Sequence, residues 1–309
     1  MRRTALVIVA LLALVPASAH AAFPGRNGAI VYGWRGSDGG RFELGLWTTS
    51  ATDGSRAPLL GCEGSHDDSV PIPCGDVGYA DPAVSPDGRA VVFDAGSSLA
   101  IVDFDGTGLQ LLPPRSADDG EPAFSPDGSR IVFTAGRSLP GRHARELWIS
   151  DRSGTNAHRL PVVGRAPTWS TRNWIAFARR GQVYRIRPSG RGLQRITTHG
   201  GTAPAWSPDG RKLAYVDRFR PADPLTTGIA VMTANADGTR RRPILRGEMI
   251  YDVAWSPDSR WLLVVGDFTG LLVVDLKGRV RHRFYGGTEA HAEQDLWTYG
   301  IDWQPLPLP

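Results

Sequence analysis

From Ala29 onward the chain alternates short runs of β-formers with clusters of polar turn residues. Runs such as "AVVFDA", "IVFTA", "WIAFA", "KLAYVD" and "WLLVVGD" are rich in Val, Ile, Leu, Phe and Trp and partly alternate with polar positions. That pattern predicts short strands packed between neighbouring sheets. Beyond the first twenty or so residues no stretch carries a helical period.

The runs belong to a repeat with four parts in fixed order. A first strand ends in Val84, Phe124, Trp169, Trp206, Trp255 or Trp303. A tight turn follows, spelled "SPDG" at Ser85, Ser125 and Ser207, "SPDS" at Ser256 and "STRN" at Ser170. A second strand, a variable segment and a third strand ("LGLWTTS", "LAIVDF", "ELWISD", "QVYRIR", "GIAVMTA", "GLLVVDL") come next, then a second turn and a fourth strand. Proline presets a turn dihedral, Asp bonds back to the following backbone, and Gly takes positive φ without steric cost. Both turns therefore read as hairpin connections between antiparallel strands.

Four antiparallel strands recurring at intervals of about 40 to 50 residues match the blade of a β-propeller. Six third strands give six blades. The first unit opens at "NGAIVYGW" without an innermost strand, and the chain ends in "YGIDWQPLPLP" with an innermost strand and nothing after it. The reading is an all-β, six-bladed propeller spanning 23–309, in which about 299–307 completes blade 1 and removes two open sheet edges.

Ahead of the repeats, Arg2 and Arg3, the apolar run "ALVIVALLALV" and the small-residue stretch "ASAHAA" read as a secretory signal over 1–22. The run is too short to span a bilayer, and no later stretch replaces it, so no transmembrane segment is expected after cleavage. Export to the periplasm, the cell envelope or the exterior makes a disulfide between Cys62 and Cys74 the expected state of the two cysteines. Two free thiols are the alternative. Hydrophobic residues make up 41% of the chain, an ordinary globular content. A net charge of +4 permits anionic partners but is not the concentrated basic stripe of a nucleic-acid binder, and no nucleic-acid partner is expected.

The copies of Ser-Pro-Asp-Gly after an apolar or Trp residue, each followed by Asp-Gly or Ser-Gly, resemble the repeats of the TolB-like propeller family. The start "FPGRNGAIVYG" and the ending "DWQPLP" are similar to secreted bacterial members. The resemblance covers nearly all of residues 23 to 307. It implies a six-bladed propeller and a protein or cell-envelope partner. The α/β domain that precedes the TolB propeller has no counterpart here, which leaves an exported propeller that binds something.

In a four-stranded blade the two hairpin turns share one face, and the second-to-third-strand and blade-to-blade connections share the other. The turns are short and uniform, so their face reads as a structural floor. The long segments "RGSDGGRF", the cysteine loop from Gly61 to Ala80, "GRSLPGRHARE", "RFRPADPLTT" and "YGGTEAHAEQDLWTY" all fall on the opposite face. Within the blades they are long in the first, third and fifth units. They place Arg35, Arg41, Arg137, Arg142, Arg145, Arg218 and Arg220 on one rim, suited to bidentate recognition of carboxylate or phosphate. The plainer reading pairs these arginines with Asp38, Glu43, Glu146 and Asp223, and the sequence leaves both open. Trp297, in the last long loop, is the tryptophan expected to contact a ligand. Trp169, Trp206, Trp255, Trp303 and Trp261 occupy repeat positions and read as core.

His66, His143, His199 and His291, with Asp67, Asp68, Glu289, Glu293 and Asp295, share the loop face, but none has the close spacing of a metal motif. No Gly-x-Ser-x-Gly nucleophile elbow occurs. The expectation is a non-catalytic module without metal or cofactor. A small-molecule or metal-dependent enzyme with its site at the channel mouth, of lactonase or hydrolase type, is the alternative.

Overall fold

The computed structural model describes residues 22–38, 41–63, 79–139, 142–219, 228–247, 250–266, 270–284 and 297–307. These residues form 24 strands, numbered in chain order, arranged as six four-stranded antiparallel sheets. Blade 1 contains β1 (Arg26–Asp38), β2 (Arg41–Thr49), β3 (Arg56–Glu63) and, innermost, β24 (Trp297–Leu306). Blade 2 runs outward through β4 (Ala80–Val84), β5 (Ala90–Asp94), β6 (Leu99–Asp103) and β7 (Gln110–Leu111). Blade 3 contains β8 (Asp119–Phe124), β9 (Arg130–Leu139), β10 (Arg142–Asp151) and β11 (His158–Val163). Blade 4 contains β12 (Arg165–Trp169), β13 (Ile175–Arg179), β14 (Gln182–Ile186) and β15 (Gln194–Arg195). Blade 5 contains β16 (Thr202–Trp206), β17 (Lys212–Phe219), β18 (Gly228–Asn235) and β19 (Arg242–Gly247). Blade 6 contains β20 (Ile250–Trp255), β21 (Trp261–Gly266), β22 (Gly270–Asp275) and β23 (Val280–Phe284).

The first turn of each blade is built as its spelling requires. Ser85 Oγ donates to Asp87 Oδ1 at 2.6 Å and accepts the backbone N–H of Ala90 at 2.9 Å. The same pair of bonds recurs at Ser125, Ser207 and Ser256. Gly88, Gly128 and Gly210 take φ of 71°, 68° and 64°, and Ser259 adopts 63° where the fourth copy lacks glycine. The hydroxyl thus ties both limbs of the hairpin to one atom.

A second repeated device lies, in five of the six inner strands, three residues before the Val, Phe or Trp that precedes the first turn. Asp81, Glu121, Ala166, Ala203 and Gly300 all stand at positive φ there. In β4, β8, β12 and β16 the ladder to the next strand slips at this point. Such bulges bend and twist a strand, and they recur at the same height in these inner strands.

The core lies between blades. Trp169, Trp206 and Trp255 are fully buried, with Trp303, Val84 and Phe124 in the equivalent slots. Val31 and Leu46 of blade 1 cluster with Val84 and Val91 of blade 2, and Leu147 of blade 3 clusters with Trp169 of blade 4. Trp261 is only half-buried, at the edge of the cluster joining blades 6 and 1.

The C-terminal strand closes the ring as the repeat count predicts. Ile30 pairs with Trp303, Val31 with Asp302 and Tyr32 with Ile301, and the strand begins at Trp297, two residues before the expected start. The Trp303 indole N–H donates to Gly28 O at 3.0 Å. Ala22 joins the apolar cluster of blades 5 and 6, whereas Phe23 joins that of blades 2 and 3. Both are buried.

The signal segment 1–21 and Cys74 lie outside the described residues, as does the side chain of Cys62, whose backbone belongs to β3. The cysteine loop is accordingly shorter than the sequence suggests. Gly61 to Glu63 continue β3, and Ala80 already opens β4.

Candidate functional site on the crowned face

In the long segments of blades 1 and 3, and at the base of that of blade 5, the described residues continue the antiparallel ladder where composition suggests irregular loops. In blade 1 the pairing runs out to Asp38 opposite Arg41, in blade 3 to Leu139 opposite Arg142, and in blade 5 to Phe219 opposite Gly228. Continued pairing satisfies backbone groups that a free loop would leave to water. β9 has 10 residues and β17 has 8, against 5 in β5 and 5 in β13. At about 3.3 Å per residue the blade 3 hairpin stands roughly 17 Å taller than its neighbours and the blade 5 hairpin about 10 Å taller. Three raised hairpins on alternate blades thus crown one end of the ring.

The rim arginines distribute over this crown. Arg35 in β1 pairs through its backbone with Leu44 on one side and Trp297 on the other, and Arg41 opens β2. Arg137 pairs with Ala144, and Arg142 opens β10. The side chains of these four arginines and of Trp297, and all of Arg220, lie outside the described residues, as do His66, Asp67, Asp68, Glu289, His291, Glu293, Asp295, Asp223 and the side chains of Asp38, Glu43 and His143. Arg218, in β17, is exposed. His199 is also exposed and acts electrostatically on Asp217.

Arg145 departs from the rim reading. Its Nη2 bonds Asp118 Oδ1 at 2.6 Å, and Nη1 bonds Thr134 Oγ1 at 3.2 Å, leaving the side chain only 15% exposed. Its neighbour Glu146 pairs instead with Arg159 at 2.8 Å. Arg145 faces inward because β10 alternates sides and a carboxylate from the blade 2 to blade 3 connection meets it there.

Around Arg145 the structure gathers acidic groups that sequence spacing could not join. A Cβ placed on Gly120 would stand 2.5 Å from Asp94 Oδ2 and 3.5 Å from Arg145 Nη1, so the three groups meet at the seam of blades 2 and 3. Glu121 is fully buried, its Oε2 accepting from Thr134 Oγ1 and from the backbone N–H of Ala166, both at 3.0 Å. Burial raises the Glu121 carboxyl above its ordinary range, against the pull of Arg145 and Arg165. Burial likewise pushes Asp94 up to about 7, opposed by the Gly96 N–H and by Arg145. Among the described residues no group of three or more His, Cys, Asp or Glu is placed to hold a metal ion. The cleft at the other end of the molecule, about 450 Å³ between Asn27, Thr52, Trp261, His282 and Gln304, follows the closing seam of blades 1 and 6 and stands apart from the acidic cluster.

This ring of four-stranded blades around bent inner strands matches known propellers. The fold is that of the TolB-like six-bladed propellers. TolB from Acinetobacter baumannii superposes with a TM-score of 0.67 at 18% identity, over 90% of this chain and 67% of that one. A propeller in a nidogen/laminin complex gives 0.65 at 12% identity, over 91% and 100% of the two chains. A gluconolactonase from Xanthomonas campestris gives 0.52 at 19% identity, over 93% and 98%. No protein-family model matches the chain, and no curated protein does. The likeness is one of fold, shared by binding proteins and enzymes alike.

Proposed function

We propose that this chain is an exported, non-catalytic binding module whose partner, a protein, peptide or anionic envelope component, docks on the crowned face. The observation that carries this reading is the crown itself: paired hairpins on alternate blades carry Arg35, Arg41, Arg137, Arg142 and Arg218 in their backbone ladders at one end of the ring. Likeness to TolB proteins supports a periplasmic or envelope setting. Exchanging Arg35, Arg41, Arg137, Arg142, Arg218 and Arg220 together for Gln should abolish capture of the partner from an envelope extract while far-UV dichroism stays unchanged. Equal capture by the exchanged protein would contradict the reading. Arg145 is left out of that set because Asp118 already neutralises it.

An enzymatic reading has one observation behind it. Asp94, pushed up to about 7 at the crowned end of the blade 2 to blade 3 seam, is poised for proton transfer near neutral pH. Lactone hydrolysis by the purified protein that disappears in Asp94→Asn would favour this reading, and its absence from both proteins would remove it.

A further inference from the structure

The turn face was expected to be a uniform floor, and blade 4 is the exception. Residues 152–208 contain ten Arg and no Asp or Glu, while the rest of the chain holds 25 Lys and Arg against 31 Asp and Glu. The imbalance comes partly from two repeat positions whose charge is reversed. Where the first turns of the other blades place Asp87, Asp127, Asp209 and Asp258, blade 4 has Arg172. Where the second turns of blades 2, 3 and 6 begin with Asp103, Asp151 and Asp275, it has Arg187. The first exchange removes the Ser–Asp hydrogen bond that locks the other turns, so Ser170 Oγ keeps only the N–H of Trp174, at 3.1 Å. A repeat that breaks its own rule at two charged positions singles this blade out.

These arginines are held in place without being neutralised. Arg187 Nη1 donates to the carbonyls of Arg172 and Asn173 at 2.9 and 3.0 Å, and Arg172 Nε donates to Asp209 O at 3.0 Å. Arg185 donates to Ala236 O at 2.7 Å and to Gln194 Oε1. Trp174 lies between two of them, its ring centre 3.7 Å from the Arg187 guanidinium carbon and 4.3 Å from that of Arg185. Among the described residues no carboxylate lies within ion-pair distance of the eight arginines of blade 4. The acids that act on them electrostatically, Glu121 on Arg165, Asp237 on Arg185 and Asp209 on Arg172, have hydrogen-bond partners of their own in Thr134, Thr239 and Ser207. Arg191 is exposed beside Leu193, one of the few large apolar residues left at the surface, 44% exposed.

We infer that the turn face of blade 4 is a second docking surface, for an acidic segment of a partner protein. Nη2 of Arg187 and both terminal nitrogens of Arg172 take part in none of these bonds, which leaves them to carboxylates, and Leu193 offers apolar contact that a protein segment, with carboxylates and aliphatic side chains together, can use. The surface is on the opposite face from the crown, so it neither needs nor excludes docking there.

The test uses a fluorescent twelve-residue peptide of alternating Glu and Leu, titrated into the full mature chain. Binding at 50 mM salt should weaken at least tenfold at 300 mM. The paired exchange Arg172→Asp, Arg187→Asp restores the acids of the repeat, so it should abolish binding with the melting midpoint kept or raised. Arg89→Gln, on the same face of blade 2, should bind as the native chain does. Equal binding by the paired variant would overturn the inference. So would preferential binding of phosphatidylglycerol vesicles, polygalacturonate or duplex DNA at matched charge concentration. Should the paired variant fail to fold, Arg187→Gln alone must lower affinity at least threefold, and unchanged affinity there would overturn it equally.

Discussion

Asp302 of the C-terminal strand accepts the backbone N–H of Val84, in the inner strand of blade 2, at 2.8 Å across the seam between blades 1 and 2. Its other oxygen accepts the N–H of Trp303, also at 2.8 Å, and the side chain is 1% exposed. One carboxylate therefore fastens the last strand of the chain to a blade more than two hundred residues earlier. Asp302→Ala leaves two buried donors without these acceptors and should cost about 2–4 kcal/mol. Asp302→Asn, which keeps one acceptor oxygen, should fall between the two in a urea titration.

Phe23 sets the second prediction. It is buried in the cluster that joins blades 2 and 3, with Ala83, Phe124 and Leu112. Phe23→Ala should destabilise the fold by about 3 kcal/mol, the usual loss for a buried aromatic, and should be additive with changes on the outer strands. A midpoint shift below one degree would show that the residue does not pack there.

How much of this was legible in the sequence follows from what each feature depends on. Six blades, both hairpin turns and the closing strand rest on local spelling, and Trp303 does fill the slot that Trp255 fills one blade earlier. The tall hairpins were sorted to one face but read as loops, because Gly and Asp in "RGSDGGRF" hide the pairing that the blade beneath imposes. The pairing of Arg145 with Asp118 could not be read from spacing, since Asp118 comes from a different connection. The basic blade was missed for a simpler reason. The chain-wide charge averages it away, and a charge count per repeat would have found it, with "STRN" as its local mark.

Asp94 sets a pH dependence. Burial raises its carboxyl to about 7 in the folded chain from an ordinary value near 4, so the folded state holds this proton more tightly than the unfolded one. The stabilisation is complete below about pH 4 and is lost as pH rises through 7. Asp94→Asn can still accept the Gly96 N–H, which Asp94 Oδ1 accepts at 2.8 Å, but cannot ionise. Its melting midpoint should lack the decline that the native chain shows between pH 5 and 8, and parallel curves for the two proteins would refute the assignment.

Both proposed surfaces presuppose a closed ring, and closure depends on β24. The most direct measurement is the thermal midpoint of a chain ending at residue 298, which keeps five blades whole but takes from blade 1 its inner strand and from blade 2 the contact across the seam. The account predicts a loss of cooperative unfolding or a drop of at least 10 °C, well beyond the effect of trimming an ordinary tail. An unchanged midpoint, with the same cooperativity, would contradict it.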